Sequence, residues 1–383
     1  MKPAGLKYVS VIVGVMFILC LAQPVDCAGL MDRAAAGLDL TELDRFLGTL
    51  DQDLLSYLPK LDPSAWGSAG PDWDLPEIGR ALLRFFLREI VFNFRLLGEL
   101  LMLALVLAVL QNLEHAFETV TINQLAFGLC FLVVIGIVSN SFRATFSIAR
   151  EAVGEITGFM HVIIPVLFSL ITAGGGVTTT TIVHPLLISA VGIVSGLVNY
   201  IIFPIILLAG VLGLVNYLAA AFPTGKLSRF FRKSALGLMG MAMATFIGII
   251  AIRGFASSVA DSAVLRTGKY FTKNFLPVVG GELADTMEMA FGCSAVLKSG
   301  LGIFGLGLVV LITVFPLLKI LAVALVYNLT GAVLQPLGDP RLAGALETVG
   351  ETFLALFGAL AIVGLMFFIA IAILVGVANH GVV

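Results

Sequence analysis

The chain is built of continuous apolar runs separated by short polar stretches. Runs at about 96–113, 122–139, 156–173, 182–198, 200–218, 235–252, 300–326 and 353–377 approach the length that crosses a bilayer core as a helix. They predict an all-α, polytopic integral membrane protein with about eight transmembrane helices. An outer-membrane-type barrel is not expected, because its strands read as alternating segments of about 10 residues. The seventh run is longer than one crossing needs. From Leu301 to Leu334 the chain stays apolar apart from Lys319 and a few small polar groups. That is roughly 50 Å of helix against a core of about 30 Å, so Pro316 is expected to break it.

The N-terminal quarter reads differently. Lys2 and Lys7 precede a short apolar run, Val9 to Leu21, followed by the small residue Ala22. This is the pattern of an export signal, 1–22, with an uncleaved anchor as the alternative. Residues 23–75 look water-exposed and form a small helical ectodomain. Leu40, Leu43, Leu47, Leu50, Leu54 and Tyr57 recur at helical spacing, and Pro59 ends that helix. A loop carrying Trp66 and Trp73 follows. Residues 76–95 then place Arg80, Arg84 and Arg88 on one stripe, with Leu82, Leu83, Phe85 and Phe86 on the other faces. A basic amphipathic helix beside a span is expected to lie in the interface and pair with anionic lipid. A docking surface for a partner is the alternative. A first transmembrane block, 96–252, holds about six helices. Residues 253–299 are amphipathic or re-entrant, and 300–383 form the C-terminal block.

Composition agrees with the pattern. Of 383 residues, 59% are hydrophobic and 12% charged, with a mean hydropathy of +1.08. A soluble domain carries about 25% charged residues, so the excess apolar surface must face lipid. The net charge of −2 gives no reason to expect a nucleic-acid partner. The four cysteines form no CxxC and no cluster with histidine, so neither a disulfide framework nor a metal site is indicated. No P-loop, HExxH or GxSxG occurs. No catalytic residue and no cofactor is expected.

The remaining candidates are polar groups and helix breakers inside the spans, since both are costly in lipid. Lys319 lies well inside the seventh run and is the first candidate, with snorkelling or a carbonyl contact as the bland reading. Glu99 is expected to pair with Arg95 one turn earlier. His161 and His184 are read as packing residues. Pro165, Pro185, Pro204 and Pro316 interrupt apolar runs, and Gly174, Gly175 and Gly176 precede a threonine run, Thr178 to Thr181. Topology stays open. A cleaved signal puts the N-terminus outside and Lys226, Arg229, Arg232 and Lys233 inside, as the positive-inside rule wants. The same count strands Arg143, Arg150, Arg253 and Lys298, among others, outside.

Residues 269–300 contain the most distinctive block. Lys269-Tyr270-Phe271, Asn274-Phe275, Pro277-Val278-Val279-Gly280-Gly281, Asp285, Gly292-Cys293-Ser294 and Leu297-Lys298 resemble the stage III sporulation protein AE family. Physically, Pro277 with Gly280 and Gly281 makes a hinge between short amphipathic helices. Pro316 with Lys319, Asp339-Pro340-Arg341, and Ala108 to Asn112 are similar to the family pattern too. The likeness runs from about residue 80 to the C-terminus. It implies a membrane component of the SpoIIIA–SpoIIQ channel or secretion-like complex, which links mother cell and forespore and is needed for forespore development. It implies the cell membrane around the forespore as location. The implied partners are other SpoIIIA-type membrane proteins and a cytoplasmic ATPase. A stand-alone small-molecule permease is the competing reading. The candidate functional residues are Lys319, Pro277, Gly280, Gly281, Asp285, Arg80, Arg84 and Arg88.

Overall fold

A computed structural model describes residues 40–50, 74–117, 120–218, 223–275, 280–336 and 340–377. Its described residues are almost entirely helical. The helices are α1 (Thr41–Leu47), α2 (Leu75–Phe117), α3 (Val120–Ala173), α4 (Val177–Leu197), α5 (Phe203–Leu218), α6 (Gly225–Phe275), α7 (Gly280–Leu334) and α8 (Pro340–Val377). The export signal, the loop with both tryptophans and most of 23–75 lie outside the described residues.

Five rods are long and apolar enough to cross a membrane: Phe131–Ala173, Val177–Tyr217, Gly225–Thr267, Ser294–Leu334 and Pro340–Gly376. Several expected boundaries are absent because the helices run straight through them. The arginine-bearing stretch 76–95 is the first half of α2 and is continuous with the apolar run after it. Runs 122–139 and 156–173 belong to one helix, α3. Residues 253–275 continue α6, and 280–299 open α7, so 253–299 is not a set of short helices. Pro165, Pro185 and Pro316 sit inside helices rather than ending them. In lipid a broken backbone bond has no water to turn to, so an apolar helix bends around proline before it stops.

Pro204 shows how the chain absorbs such a residue. It lacks the N–H that would bond to the carbonyl of Tyr200 four residues back. A π-helical turn, Val198–Ile202, lies across that point, and Phe203 donates its N–H to the Val198 carbonyl. The wider turn relieves the clash and joins α4 to α5 as one rod.

α8 is the centre of the bundle, packed on α7, α6, α5 and α3. Its Leu346, Val349, Phe353, Leu356, Leu360, Val363 and Phe367 are fully buried. Their spacing of three, four and seven is the pattern of a helix enclosed on one broad face. On α1, Leu43 is buried and Phe46 packs its ring 5.7 Å from that of Phe159 on α3, so the leucine stripe there serves helix docking.

Gly331 lets the backbone of α8 come close to α7. A Cβ placed there would lie 3.0 Å from the Ala343 carbonyl oxygen and 3.3 Å from the Glu347 nitrogen, both backbone atoms. Gly331→Ala should therefore destabilise the purified protein by about 1–3 kcal/mol, and Gly331→Leu by more. Gly237 on α6 has nothing within 4 Å of the same position, so Gly237→Ala should be neutral or mildly stabilising. Thermal unfolding in detergent checks the contrast.

Candidate functional site

The levels of the rods can be matched through side-chain contacts. Arg232 of α6 meets Glu351 of α8 at 2.6 Å, and Phe246 meets Phe367 with ring centroids 6.1 Å apart. These two helices run parallel. In α6 no charge occurs between Lys233 and Arg253, and in α8 none occurs from Thr352 to Val377. The α6 interval is 19 residues, roughly 28 Å, close to the thickness of a hydrocarbon core.

α3 is registered on the same scale. Phe142 packs on Phe353 at 5.2 Å, and Ser141 accepts a 2.8 Å hydrogen bond from the Tyr327 hydroxyl. Ile163 lies against Gly305, beside Ile371. Residues 143–155 therefore lie alongside the charge-free run of α8, in the half that begins at Phe353. Arg143, Arg150, Glu151 and Glu155 are nevertheless all exposed there. Ser147 donates to Glu151 at 2.9 Å along the same stripe.

α2 brings its arginines to this level. Phe85 packs edge-on against Phe315 of α7 at 4.7 Å, in a small cluster with Leu311. Thr313, one turn of α7 away, packs against Gly364 of α8. The Lys319 ammonium lies 5.8 Å from the Phe85 ring centroid and the Arg88 guanidinium 5.0 Å from it. Lys319 and Arg88 thus share one aromatic ring, an arrangement whose attraction strengthens when it is desolvated. The structure unites two candidates that are far apart in sequence. Arg80 and Arg84 are exposed on the same helix, and Arg80 donates from Nε to the Pro76 carbonyl at 3.3 Å. Ala81 and Phe85 of this helix are buried, Phe85 against α7, while Leu83, Leu87, Val91 and Phe92 stay exposed. Beyond this belt α2 and α3 continue as a paired apolar hairpin, where Arg95 and Glu99 form the expected ion pair at 3.0 Å.

Any bilayer placed on the charge-free runs of α6 and α8 includes this charged belt. Ionisable groups at such depth face a protein interior or a water-filled space, because lipid solvates them poorly.

A second polar feature lies at one end of the bundle. The Gly174–Gly176 turn closes α3 with two paired bonds: Gly176 N–H to the Ile171 carbonyl at 2.8 Å and Gly175 N–H to that of Thr172 at 2.9 Å. Gly175 has φ +88°, the left-handed conformation this closing motif needs. α4 starts at once, and its first turn has no local side-chain cap. Asp261 of α6 supplies one from outside. Its two carboxylate oxygens accept the N–H groups of Thr178 at 2.8 Å and Thr179 at 2.9 Å. Lys298, 1% exposed, donates from Nζ to the Val375 carbonyl at 3.1 Å, in the last turn of α8. An acid thus sits on a helix's positive end and a cation on a helix's negative end. Both side chains line one cleft enclosing about 540 Å³, part of it open, together with Thr179, Ser258, Ser262 and Ser294.

Sequence reasoning did not single out Asp261. Its signal was present: Ser257, Ser258, Asp261 and Ser262 fall on one helical stripe of α6. Lys298 entered only through the family resemblance. Pro277 and the hinge around it lie outside the described residues. Gly280, Gly281 and Asp285 fall in the opening turns of α7. His161 bonds its own helix through the Thr157 carbonyl, and His184 packs on Phe168 at 5.1 Å.

The fold and these sites define a multi-pass helical membrane protein with polar groups built into its apolar bundle. Residues 68–378 match the family model described as stage III sporulation protein AE, and the chain belongs to that family. It is 29% identical over 353 residues to the stage III sporulation protein AE of Bacillus subtilis (strain 168), covering 91% of this chain and 88% of the relative. No solved structure matches it.

Asp261→Ala should expose two helix N–H groups and cost about 2 kcal/mol. Hydrogen exchange should rise selectively at residues 177–180. Unchanged protection there would show that the carboxylate does not hold the turn.

Proposed function

We propose that this sporulation membrane protein is a subunit of the SpoIIIA–SpoIIQ complex linking mother cell and forespore. In this reading it sits in the mother-cell membrane around the forespore and forms part of a conduit wall needed for forespore development. The observation that carries the reading is the charged belt of Arg84, Arg88, Arg143, Arg150, Glu151 and Lys319, level with segments of α6 and α8 that hold no charge. A lone protein in lipid would bear these groups at high cost. A subunit whose belt faces water or a neighbouring membrane protein would not. Other SpoIIIA-type membrane proteins are the proposed neighbours. A cytoplasmic ATPase is the proposed energy source, consistent with a sequence that has no P-loop. The packing of the arginine helix on α7 favours partner docking over anionic headgroups for Arg80, Arg84 and Arg88. The protein is not proposed to be an enzyme.

The experiment is complementation of a deletion strain induced to sporulate, following a late forespore reporter and forespore size. The native gene should restore both. Lys319→Met should leave protein levels normal and fail to restore them. Single cysteines at Arg143 and Arg150 should react with a membrane-impermeant thiol reagent in the assembled state, while one at Leu238 on the apolar face of α6 should not. Equal protection of all three would remove the conduit reading. Transport by the purified chain reconstituted alone would favour the permease, a reading that the cleft beside Asp261 and Lys298 also fits.

A further inference from the structure

The opposite end of the bundle holds a second cavity, between the end of α5, the start of α6 and α8, with about 690 Å³ of space, part of it open. Its charged lining is two basic and two acidic groups: Arg229 and Arg232 on α6, Glu347 and Glu351 on α8. Each pair is one turn apart on its helix, so the two signs face each other across the space.

Several neutral groups at this end are already satisfied. Asn216 accepts the Gly225 N–H at 2.9 Å, Ser228 donates to the Ala209 carbonyl at 2.7 Å, and Thr224 donates to that of Leu212 at 2.6 Å. The charged groups are not. Arg232 binds Glu351 through Nη2, yet its Nη1 is buried with no hydrogen-bond partner among the described residues, and the side chain is only 15% exposed. Arg229 uses Nε on the Gly225 carbonyl at 3.4 Å, which leaves its terminal nitrogens available. Glu347 has no hydrogen bond or ion pair among the described residues. A buried guanidinium nitrogen without an acceptor is costly, and a charge-assisted bond to a ligand would remove that cost.

The position is as informative as the chemistry. Arg232 and Glu351 immediately precede the charge-free runs of α6 and α8, so the cavity lies at headgroup depth for a bilayer seated on those runs. Leu227 and Phe230 are exposed on the first turns of α6, an apolar surface that acyl chains can cover.

We propose that this cavity binds the headgroup of a zwitterionic phospholipid with a primary ammonium, phosphatidylethanolamine. The phosphodiester takes Arg229 and Arg232 Nη1, and the ammonium takes Glu347 and the outer edge of Glu351. A purely anionic headgroup would meet two carboxylates. A choline headgroup has no N–H to donate to them.

The full chain, purified and delipidated in detergent, would be titrated with phosphatidylethanolamine, phosphatidylglycerol and phosphatidylcholine, with retained lipid read by native mass spectrometry. Phosphatidylethanolamine should be retained over the other two. Glu347→Gln removes a carboxylate that has no partner among the described residues, so the fold should survive, and the preference over phosphatidylglycerol should fall about tenfold. The double variant Arg232→Gln with Glu351→Gln removes an ion pair without stranding either half, and it should abolish retention of phosphatidylethanolamine. Equal retention of the three lipids, or an unchanged preference in Glu347→Gln, would overturn the proposal. Free phosphoethanolamine is the control for source. Stabilisation by it at concentrations where the lipid has no effect would overturn the lipid assignment in favour of a soluble zwitterion.

Discussion

Lipid offers no hydrogen bonds, and this constraint governs both the shape of the molecule and the meaning of its polar residues. Every backbone N–H and C=O in the apolar tier must be satisfied within the chain. The result is a set of rods that pass through prolines, use a π turn where one proline removes a donor, and reverse only where a turn can close its own bonds. The Gly174–Gly176 reversal is the clearest case. The three glycines satisfy the end of α3, but they offer no side chain to the start of α4. The carboxylate that α4 lacks comes from Asp261, more than eighty residues later. A sharp turn at the edge of an apolar bundle thus requires a charge on a neighbouring helix, and that requirement ties α3, α4 and α6 together.

The same constraint separates the two kinds of ionisable residue in this chain. Asp261 and Lys298 are buried against helix ends, where fixed backbone dipoles replace water. Their environment explains them without any partner. The exposed arginines of α3 are not seated on a helix end in this way. Arg143 and Arg150 project from a helix whose buried face packs into the core through Phe142, Phe146, Ala149 and Val153. One face is core and the other is charged, at a depth where α6 and α8 present only apolar groups. An asymmetric girdle of this kind suits a molecule with lipid on one flank and water or protein on the other. It does not suit a monomer surrounded by lipid.

The sequence made the helical membrane class legible because apolar composition and run length are properties of single segments. It also made Lys319 and the arginine stripe legible as unusual, since each is a charge in or beside an apolar run. The number of rods was harder to read. Runs 122–139 and 156–173 are separated by a polar stretch that looks like a loop, and only packing of its alternate face on the core shows that the helix continues. Runs 182–198 and 200–218 likewise form one rod, because a π turn carries the helix on to Pro204. Asp261 escaped notice because its meaning is entirely tertiary. A lone aspartate on a serine-lined stripe reads as solvated until α4 is placed against it.

The shared ring of Phe85 shows how these separate facts combine. α2 touches the rest of the bundle at this level through a small cluster, Phe85 with Leu311 and Phe315, apart from the main core. Two cations from different helices rest near that ring. Their mutual repulsion opposes docking of α2, while ring contact and burial of Phe85 favour it. In water the balance would be slight, because exposed cation–π contacts contribute about 0.5–1 kcal/mol. In a low-dielectric setting both terms grow, and repulsion between unit charges grows with them. Burial of Phe85 against Leu311 and Phe315 therefore has to outweigh that repulsion, and it fixes where α2 meets α7.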